Sequence, residues 1–210
     1  MRLRADHSEA PIFSATLVPS VTSFFPRSFV ALTVVVSVLS VSGMAAQQPA
    51  PKGPDIHFVG TPQPVADAML KLARVTPDDV VYDLGSGDGR IVVLAAQKYG
   101  ARGVGIELDA RLVLLSRQVA REGEVEDRVT FMLGDLFAAD LSKATVVTLW
   151  LSETVNARLE EKLKRELQPG ARIVSHQFPM ADWAPTQSLR LSVDGREHVL
   201  HLWVVPLKTP

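Results

Sequence analysis

The stretch that decides the fold covers residues 80–90 and reads Val80-Val81-Tyr82-Asp83-Leu84-Gly85-Ser86-Gly87-Asp88-Gly89-Arg90. An apolar run ends in an acid, glycines follow at alternate positions, and residues 91–96 are typical of a helix. A strand that leads through such a turn into a helix is typical of a doubly wound α/β sheet, which binds its ligands at the carboxyl ends of the strands. Glycine has no Cβ, so the backbone of the turn can approach a ligand closely.

A second acidic residue ends the next predicted strand. Residues 103–106 read Gly-Val-Gly-Ile and are followed by Glu107. A carboxylate at this place in a doubly wound sheet accepts hydrogen bonds from ribose hydroxyls. The glycine turn and Glu107 together therefore predict a site for a nucleoside-containing ligand.

The details of the turn favour S-adenosylmethionine over a dinucleotide. The dinucleotide fingerprint requires a third glycine, and Arg90 stands at that position when Gly85 is taken as the first. Asp83 would repel a pyrophosphate, whereas S-adenosylmethionine carries an ammonium group, a sulfonium and a ribose but no phosphate. We expect the acidic rim of this site to comprise Asp83, Asp88, Glu107 and Asp135. Helix capping by Asp83 and Asp88 is the competing interpretation, and it leaves Glu107 without a role.

The rest of the chain predicts a Rossmann-like α/β domain over residues 55–210. Strands are expected at 79–84, 103–107, 128–133, 145–150 and 171–175, with helices between them. Ser152 is expected to cap the helix that follows the fourth strand. Two further apolar segments flank Asp194-Gly195, a pair that is typical of a β-hairpin turn. The pattern predicts a doubly wound, mostly parallel sheet with a C-terminal antiparallel β-hairpin.

The N-terminal region has a different composition. Residues 29–41 carry no charge, Arg27 precedes them, and small residues follow them. This pattern is typical of a signal peptide, although residues 28–46 are nearly long enough for a membrane anchor, which needs about 20 apolar residues. We therefore predict that residues 1–46 are a signal peptide or an N-terminal membrane anchor and that residues 47–54 are a proline-rich linker. The domain is exported to the periplasm or secreted if the segment is cleaved, and membrane-anchored otherwise, with membrane contact only through residues 28–46.

Composition excludes several classes of site. The chain has 210 residues, no cysteine and a formal net charge of −1, so disulfides and thiolate metal sites are absent. The chain has no excess of basic residues, so its composition gives no indication that it binds nucleic acid. His198 and His201 are expected to lie on opposite faces of a strand, and no metal ion is predicted.

Taken together, these motifs resemble class I S-adenosylmethionine-dependent methyltransferases. More narrowly, they resemble the small lysine methyltransferases that act on the ATP synthase c subunit and the adenine nucleotide translocase, and their bacterial relatives. The matching pieces are residues 58–62, 83–90, 103–109, 134–137, 145–156, 175–178 and 182–183. The chain departs from the family pattern at Gly60 and at residues 150–153, which lie near the substrate side. Members of the family are often anchored in membranes at the N-terminus.

The resemblance implies roles for individual residues. The methionine tail is expected at Asp83, Gly85, Ser86 and Gly87, the ribose at Glu107, and the adenine between Asp135 and Leu136. Phe58, Thr61 and Pro62 are expected to close over the cofactor. On the acceptor side, the chemistry of methyl transfer to an amine makes Trp150 a candidate for desolvating the acceptor, and Glu153 and His176 candidates for orienting it or taking its proton. The competing interpretations are that Trp150 and His176 are packing residues at strand ends and that Glu153 stabilises the N-terminus of its helix.

The predicted function is methyl transfer from S-adenosylmethionine, with a protein lysine as the acceptor and membrane proteins among the candidate substrates. Methylation of a small molecule and non-catalytic binding of S-adenosylmethionine are the alternatives, because one fold supports many functions.

Overall fold

The computed structural model describes residues 59–206. The predicted signal peptide or anchor, the linker at 47–54 and Phe58 lie outside this range. Within it, no helix is long and apolar enough to cross a membrane.

Helices and strands alternate along residues 59–206 until the final two strands. Their bounds, in chain order, are α1 (Gln63–Leu72), β1 (Val80–Leu84), α2 (Arg90–Tyr99), β2 (Arg102–Glu107), α3 (Ala110–Glu122), β3 (Val129–Leu133), β4 (Val146–Leu149), α4 (Glu153–Glu166), β5 (Arg172–His176), β6 (Gln187–Val193) and β7 (Arg196–Val204).

The strands of residues 59–206 form one seven-stranded sheet in the order β3-β2-β1-β4-β5-β7-β6. Strands β1 to β5 are parallel, and β7 pairs antiparallel with both β5 and β6. The strand order reverses beside β1, which pairs with β2 on one side and β4 on the other. This is the place at which doubly wound sheets bind ligands.

Alternating side chains of the buried strands face two apolar layers. Tyr82 and Leu84 pack with the apolar stripe of α4, whereas Val81 packs with α1 and α2. A third cluster joins α2 to α3 and β3. The mostly apolar sequences of β1 and β4 reflect burial on both faces.

The expected order of elements, the parallel sheet and the terminal hairpin are all confirmed. Asp194 and Gly195 have φ values of 50° and 73°, which suit the two central positions of a tight hairpin turn. Ser152 caps α4, because its hydroxyl oxygen accepts a hydrogen bond from the backbone N–H of Val155. By contrast, α2 has no side-chain N-cap; Gly89 takes that position in a left-handed conformation.

An ion pair between Asp79, which directly precedes β1, and Arg172, the first residue of β5, joins the two strands at their amino ends. This end of the sheet is the one opposite the glycine turn. Asp79 is 5% exposed and accepts hydrogen bonds from Thr76, from the hydroxyl of Thr145 and from the Arg172 guanidinium. Burial alone would raise the pKa of Asp79, but these donors and the Arg172 charge outweigh burial and hold its pKa below the usual value. The ionised carboxylate therefore stabilises the fold.

Asp79→Asn should lower the free energy of unfolding by about 2–4 kcal/mol, because it leaves the Arg172 guanidinium partly buried without its counter-charge. Chemical denaturation at pH 7 measures the change. Asp127→Asn, at an exposed position, is the control and should change stability by less than about 0.5 kcal/mol. Since the folded-state pKa of Asp79 is depressed, its contribution is present above about pH 4 and is lost as the pH falls further. Equal stability of the two variants at pH 7 would contradict this account.

Candidate active site

A cavity of about 700 Å³ opens at the carboxyl ends of β1, β2 and β4. Asp83 and the glycine turn form its floor, Glu107 and the start of α3 form one wall, and Trp150 with the start of α4 forms another. Most of the residues predicted to hold the cofactor line this cavity: Thr61, Asp83, Gly85, Ser86, Glu107, Asp135 and Leu136.

The glycine turn, residues 85–89, forms a loop that we call the glycine loop. It needs glycine for steric reasons at two positions. Gly85 and Gly89 both have φ of 79°, in the region that side chains disfavour. A Cβ at Gly89 would lie 2.5 Å from the ring of Phe131, and one at Gly85 would lie 2.8 Å from Leu151. The loop can therefore pack against β3 and the segment after β4 only without these side chains.

Hydrogen bonds to the end of β2 fix the glycine loop. The carbonyl of Ile106 accepts from the backbone N–H groups of Gly85 and Ser86, at 2.8 and 3.0 Å. Oε2 of Glu107 accepts from the N–H of Gly87 at 2.9 Å. These N–H groups are thus engaged within the protein and do not form a cradle for a phosphate, which is how glycine loops bind dinucleotides.

Glu107 has capacity for a ribose in addition to its internal bonds. Its Oε1 accepts from the backbone N–H groups of Leu108 and Asp109, and its Oε2 accepts from Gly87. A carboxylate offers about four lone-pair sites, so acceptor capacity remains for a ribose hydroxyl.

Asp83 is buried at the floor of the cavity with 3% of its surface exposed. The hydroxyl of Thr148 donates to its Oδ1 at 2.7 Å. Burial, together with the charges of Glu107 and Asp88, raises the pKa of Asp83 to about 7. A ligand ammonium group would replace the missing counter-charge, which is the role that the sequence predicts for this residue.

The cations around the cavity are already paired or stacked. Arg90 forms an ion pair with Asp88, Arg111 forms one with Asp109, and the Arg158 guanidinium lies 4.1 Å from the centre of the Phe137 ring. The carboxylates consequently dominate the field inside the cavity, which favours a cationic ligand. This charge distribution fits S-adenosylmethionine, which carries an ammonium group and a sulfonium and no phosphate.

Three of the residues predicted to bind the cofactor are not placed in the cavity lining. Phe58 is outside the described range. Pro62 caps α1 and Gly87 supports Glu107, and neither is among the residues that line the cavity. Asp83 does not cap a helix, whereas Asp88 accepts a long hydrogen bond of 3.3 Å from the N–H of Arg90.

The acceptor-side candidates occupy three different environments. Trp150 lines the cavity, and its ring packs on that of His176 with centroids 4.5 Å apart. His176 is fully buried behind Trp150, where its Nε2 lies 2.8 Å from Nδ1 of His198. Burial, with a smaller effect of the His198 charge, lowers the pKa of His176 to about 4, so it is neutral at pH 7. Glu153 is exposed at the start of α4 and is not among the residues that line the cavity.

The sequence interpretation missed the residues that the helices contribute to the cavity wall, namely Leu112 and Leu115 of α3 and Val155 and Arg158 of α4. One signal was available: residues 112–115 are all apolar, which is more than one face of a helix needs for the core. His201, the other histidine of β7 considered as a metal ligand, contacts Ser188 and not His198. Among residues 59–206, no group of three or more acidic or histidine side chains is arranged to hold a metal ion.

Comparison with known proteins bears directly on this site. Residues 83–187 match the family model described as the ANTKMT methyltransferase domain. A protein-lysine N-methyltransferase from Saccharolobus islandicus is 39% identical over 154 residues, which cover 72% of this chain and 95% of that protein. The mouse adenine nucleotide translocase lysine N-methyltransferase is 40% identical over 131 residues, and the matched region covers 56% of its length.

A solved structure is also similar. The crystal structure of an RNA methyltransferase from Salinibacter ruber in complex with S-adenosyl-L-homocysteine is 51% identical, with a TM-score of 0.67. The match covers 72% of this chain and 97% of that one. These similarities confirm the predicted class I methyltransferase fold and S-adenosylmethionine as the cofactor.

Binding of S-adenosylhomocysteine should release protons between about pH 6 and 7, because the ligand ammonium favours the ionised form of Asp83. Since the folded-state pKa of Asp83 is raised, its protonated form stabilises the free protein below about pH 4, and this contribution is lost as the pH rises to about 7. Affinity should therefore fall by up to about tenfold per pH unit below pH 7.

Calorimetry at pH 6.5 in two buffers of different ionisation enthalpy measures the released protons. Asp83→Asn, which has no proton to release, is the matched variant. Wild-type affinity that is constant from pH 5.5 to 8, with no buffer dependence, would rule out this role for Asp83.

Glu107→Ala should weaken S-adenosylhomocysteine binding by about 10- to 100-fold, because hydrogen bonds to a charged acceptor contribute about 1.5–3 kcal/mol. The substitution also removes the acceptor for the N–H of Gly87. Calorimetric titration measures the change, with Glu122→Ala, exposed at the end of α3, as the control. Wild-type protein should not bind NAD at comparable concentrations. Unchanged affinity in Glu107→Ala, or a preference for NAD, would contradict the assignment.

Proposed function

Because this chain belongs to the ANTKMT methyltransferase family and is an S-adenosylmethionine-dependent methyltransferase, we propose that its methyl acceptor is the side-chain amine of a protein lysine. Membership confirms the resemblance stated from the sequence. The chain spans nearly all of the Saccharolobus islandicus relative but about half of the mouse one. The acceptor is therefore proposed from the chemistry of this site as well as from the names of relatives.

The observation that carries the proposal is the apolar wall beside an acidic cavity. Trp150, Leu151 and Val155 line the same cavity as the carboxylates that suit the cofactor. A lysine amine has an unperturbed pKa of about 10.4 and attacks a methyl group only after it loses its proton. Removal from water against apolar side chains lowers that pKa, because burial disfavours the charged form.

The chemistry needs little more than alignment from the protein. Bound S-adenosylmethionine supplies a methyl group activated by its positively charged sulfur. The protein orients the acceptor against that methyl group, which is a proximity effect that contributes several kcal/mol. We assign this orientation to Trp150, and we assign His176 the role of holding the Trp150 ring in place, since the imidazole lies behind the ring. Glu153 is exposed on the first turn of α4 and is not among the residues that line the cavity. It stays a candidate for accepting the proton that the acceptor amine releases.

RNA is the second candidate acceptor, and it rests on the name of the Salinibacter ruber structure. The formal net charge of −1 and the carboxylate-lined cavity oppose it, because RNA binding depends on neutralising phosphates with lysine and arginine. Membrane proteins remain among the proposed protein substrates, and the full chain is proposed to contact the membrane through residues 28–46 if they are retained.

A labelled-methyl assay with the full chain tests the acceptor. Three acceptors are offered in parallel: total bacterial protein with its membrane fraction, the same protein after acetylation of its lysines, and total RNA. We expect label in the first sample, methylated lysine after acid hydrolysis, and none in the acetylated sample. Trp150→Ala should reduce transfer at least tenfold while S-adenosylhomocysteine binding is retained.

Label in RNA and none in protein would overturn the lysine proposal in favour of the second candidate. Label that survives acetylation would indicate a different acceptor group. Absence of label from all samples, with S-adenosylhomocysteine bound normally, would favour a small-molecule acceptor or a binding protein.

A further inference from the structure

Arg90 is the residue of the glycine-loop region that the cofactor chemistry does not use. It stands where a dinucleotide site has glycine, and it is among the residues that line the cavity. None of the roles expected for the ribose, the adenine or the methionine tail falls on it. Its contacts lead instead to residues 59–61, which precede α1 and which we call the leading segment.

The guanidinium of Arg90 joins two parts of the chain that are distant in sequence. Nε donates to both oxygens of Asp88, at 2.9 and 3.0 Å, and Nη2 donates to Oδ2 of the same carboxylate. Nη1 donates to the backbone carbonyl of Thr61 at 2.9 Å. Asp88 therefore fixes the plane of the guanidinium, and the remaining edge holds the leading segment.

Gly60 allows the leading segment to lie flat on this plane. A Cβ built at Gly60 would lie 2.5–2.7 Å from the guanidinium atoms of Arg90, closer than side-chain atoms approach each other. Gly60 is not in the left-handed region, so only this contact opposes a side chain there, and a side chain would displace the Arg90 guanidinium. The chain differs from the family pattern at this position, and the Arg90 contact gives the difference a physical reason.

The leading segment forms part of the cavity wall. Val59, Gly60 and Thr61 all line the cavity, Thr61 is 4% exposed, and Val59 is 64% exposed at its rim. The leading segment is therefore placed to contact a ligand in the cavity, and Arg90 is hydrogen-bonded to it.

We propose that Arg90 is a positioning residue that holds the leading segment over the bound cofactor and thereby sets how fast the cofactor dissociates. Arginine is suited to this role because its planar fork binds a carboxylate with one edge and a carbonyl with another, which the single ammonium of lysine cannot do. The Arg90–Asp88 pair is partly exposed, with 40% and 15% of the side chains accessible, so its loss is tolerated by the fold.

Two variants disturb the contact from opposite sides. Arg90→Lys keeps the charge and removes the fork, and Gly60→Ala keeps the arginine and places a methyl group against it. Each should raise the dissociation rate of S-adenosylhomocysteine about tenfold, because a hydrogen bond from a charged donor is lost. Arg117→Lys is the matched control, since the Arg117 guanidinium also donates to a backbone carbonyl, that of Phe131, but does not line the cavity.

The measurement is stopped-flow dissociation of S-adenosylhomocysteine from the full chain, with hydrogen exchange at residues 59–61 recorded in the bound state. We expect faster dissociation and faster exchange in both variants, with melting temperatures near that of the wild type. Wild-type dissociation in both variants would overturn the proposal. An effect in Arg90→Lys without one in Gly60→Ala would also overturn it, because the arginine would then act on the ligand directly. The test does not involve a methyl acceptor, so its outcome is independent of the lysine proposal.

Discussion

The cavity depends on the hydrogen bonds that join the glycine loop to the end of β2. Three consecutive backbone N–H groups of the loop donate to Ile106 and Glu107, and these bonds fix the loop against the end of β2. Glu107 consequently has two roles, because the carboxylate that is available to a ribose also keeps the loop in shape. A substitution at Glu107 therefore alters the site even before a ligand arrives.

The cavity favours a cationic ligand because two of its arginines already have carboxylate partners, whereas the carboxylate of Asp83 has no cationic partner within residues 59–206. Arg90 and Arg111 are paired with neighbouring aspartates, so they contribute little attraction for an anion. Asp83 is buried without a cation, and its raised pKa records the cost of ionising it there. A cationic ligand removes that cost, whereas an anionic one increases it. A glycine loop next to a buried carboxylate thus favours S-adenosylmethionine over a dinucleotide, because the carboxylate attracts an ammonium group and repels a pyrophosphate.

The sequence could predict the parts of this structure that local patterns determine. The strand–glycine–helix turn, the Ser152 cap and the Asp194-Gly195 hairpin are each encoded within a few residues, and each is found. Contacts across strands could not be predicted in the same way. Trp150 and His176 meet because β4 pairs with β5 in a register that places Leu149 beside Ser175, and the pairing of β5 with β7 brings His198 to the His176 imidazole. Likewise, the Arg90–Thr61 hydrogen bond joins residues 29 positions apart, and a single sequence carries no signal for it.

The C-terminal hairpin has a steric consequence for whatever approaches the cavity. His176, the last residue of β5, pairs with Leu200, whereas β7 begins at Arg196, so the hairpin continues past the end of its neighbour. At about 3.4 Å per residue, the hairpin extends roughly 13 Å beyond the end of β5. It does so at the carboxyl ends of the parallel strands, where the cavity opens. A macromolecule that approaches the carboxyl ends of β4 and β5 would meet this overhang, so the hairpin adds a steric constraint on that side that a small ligand does not experience.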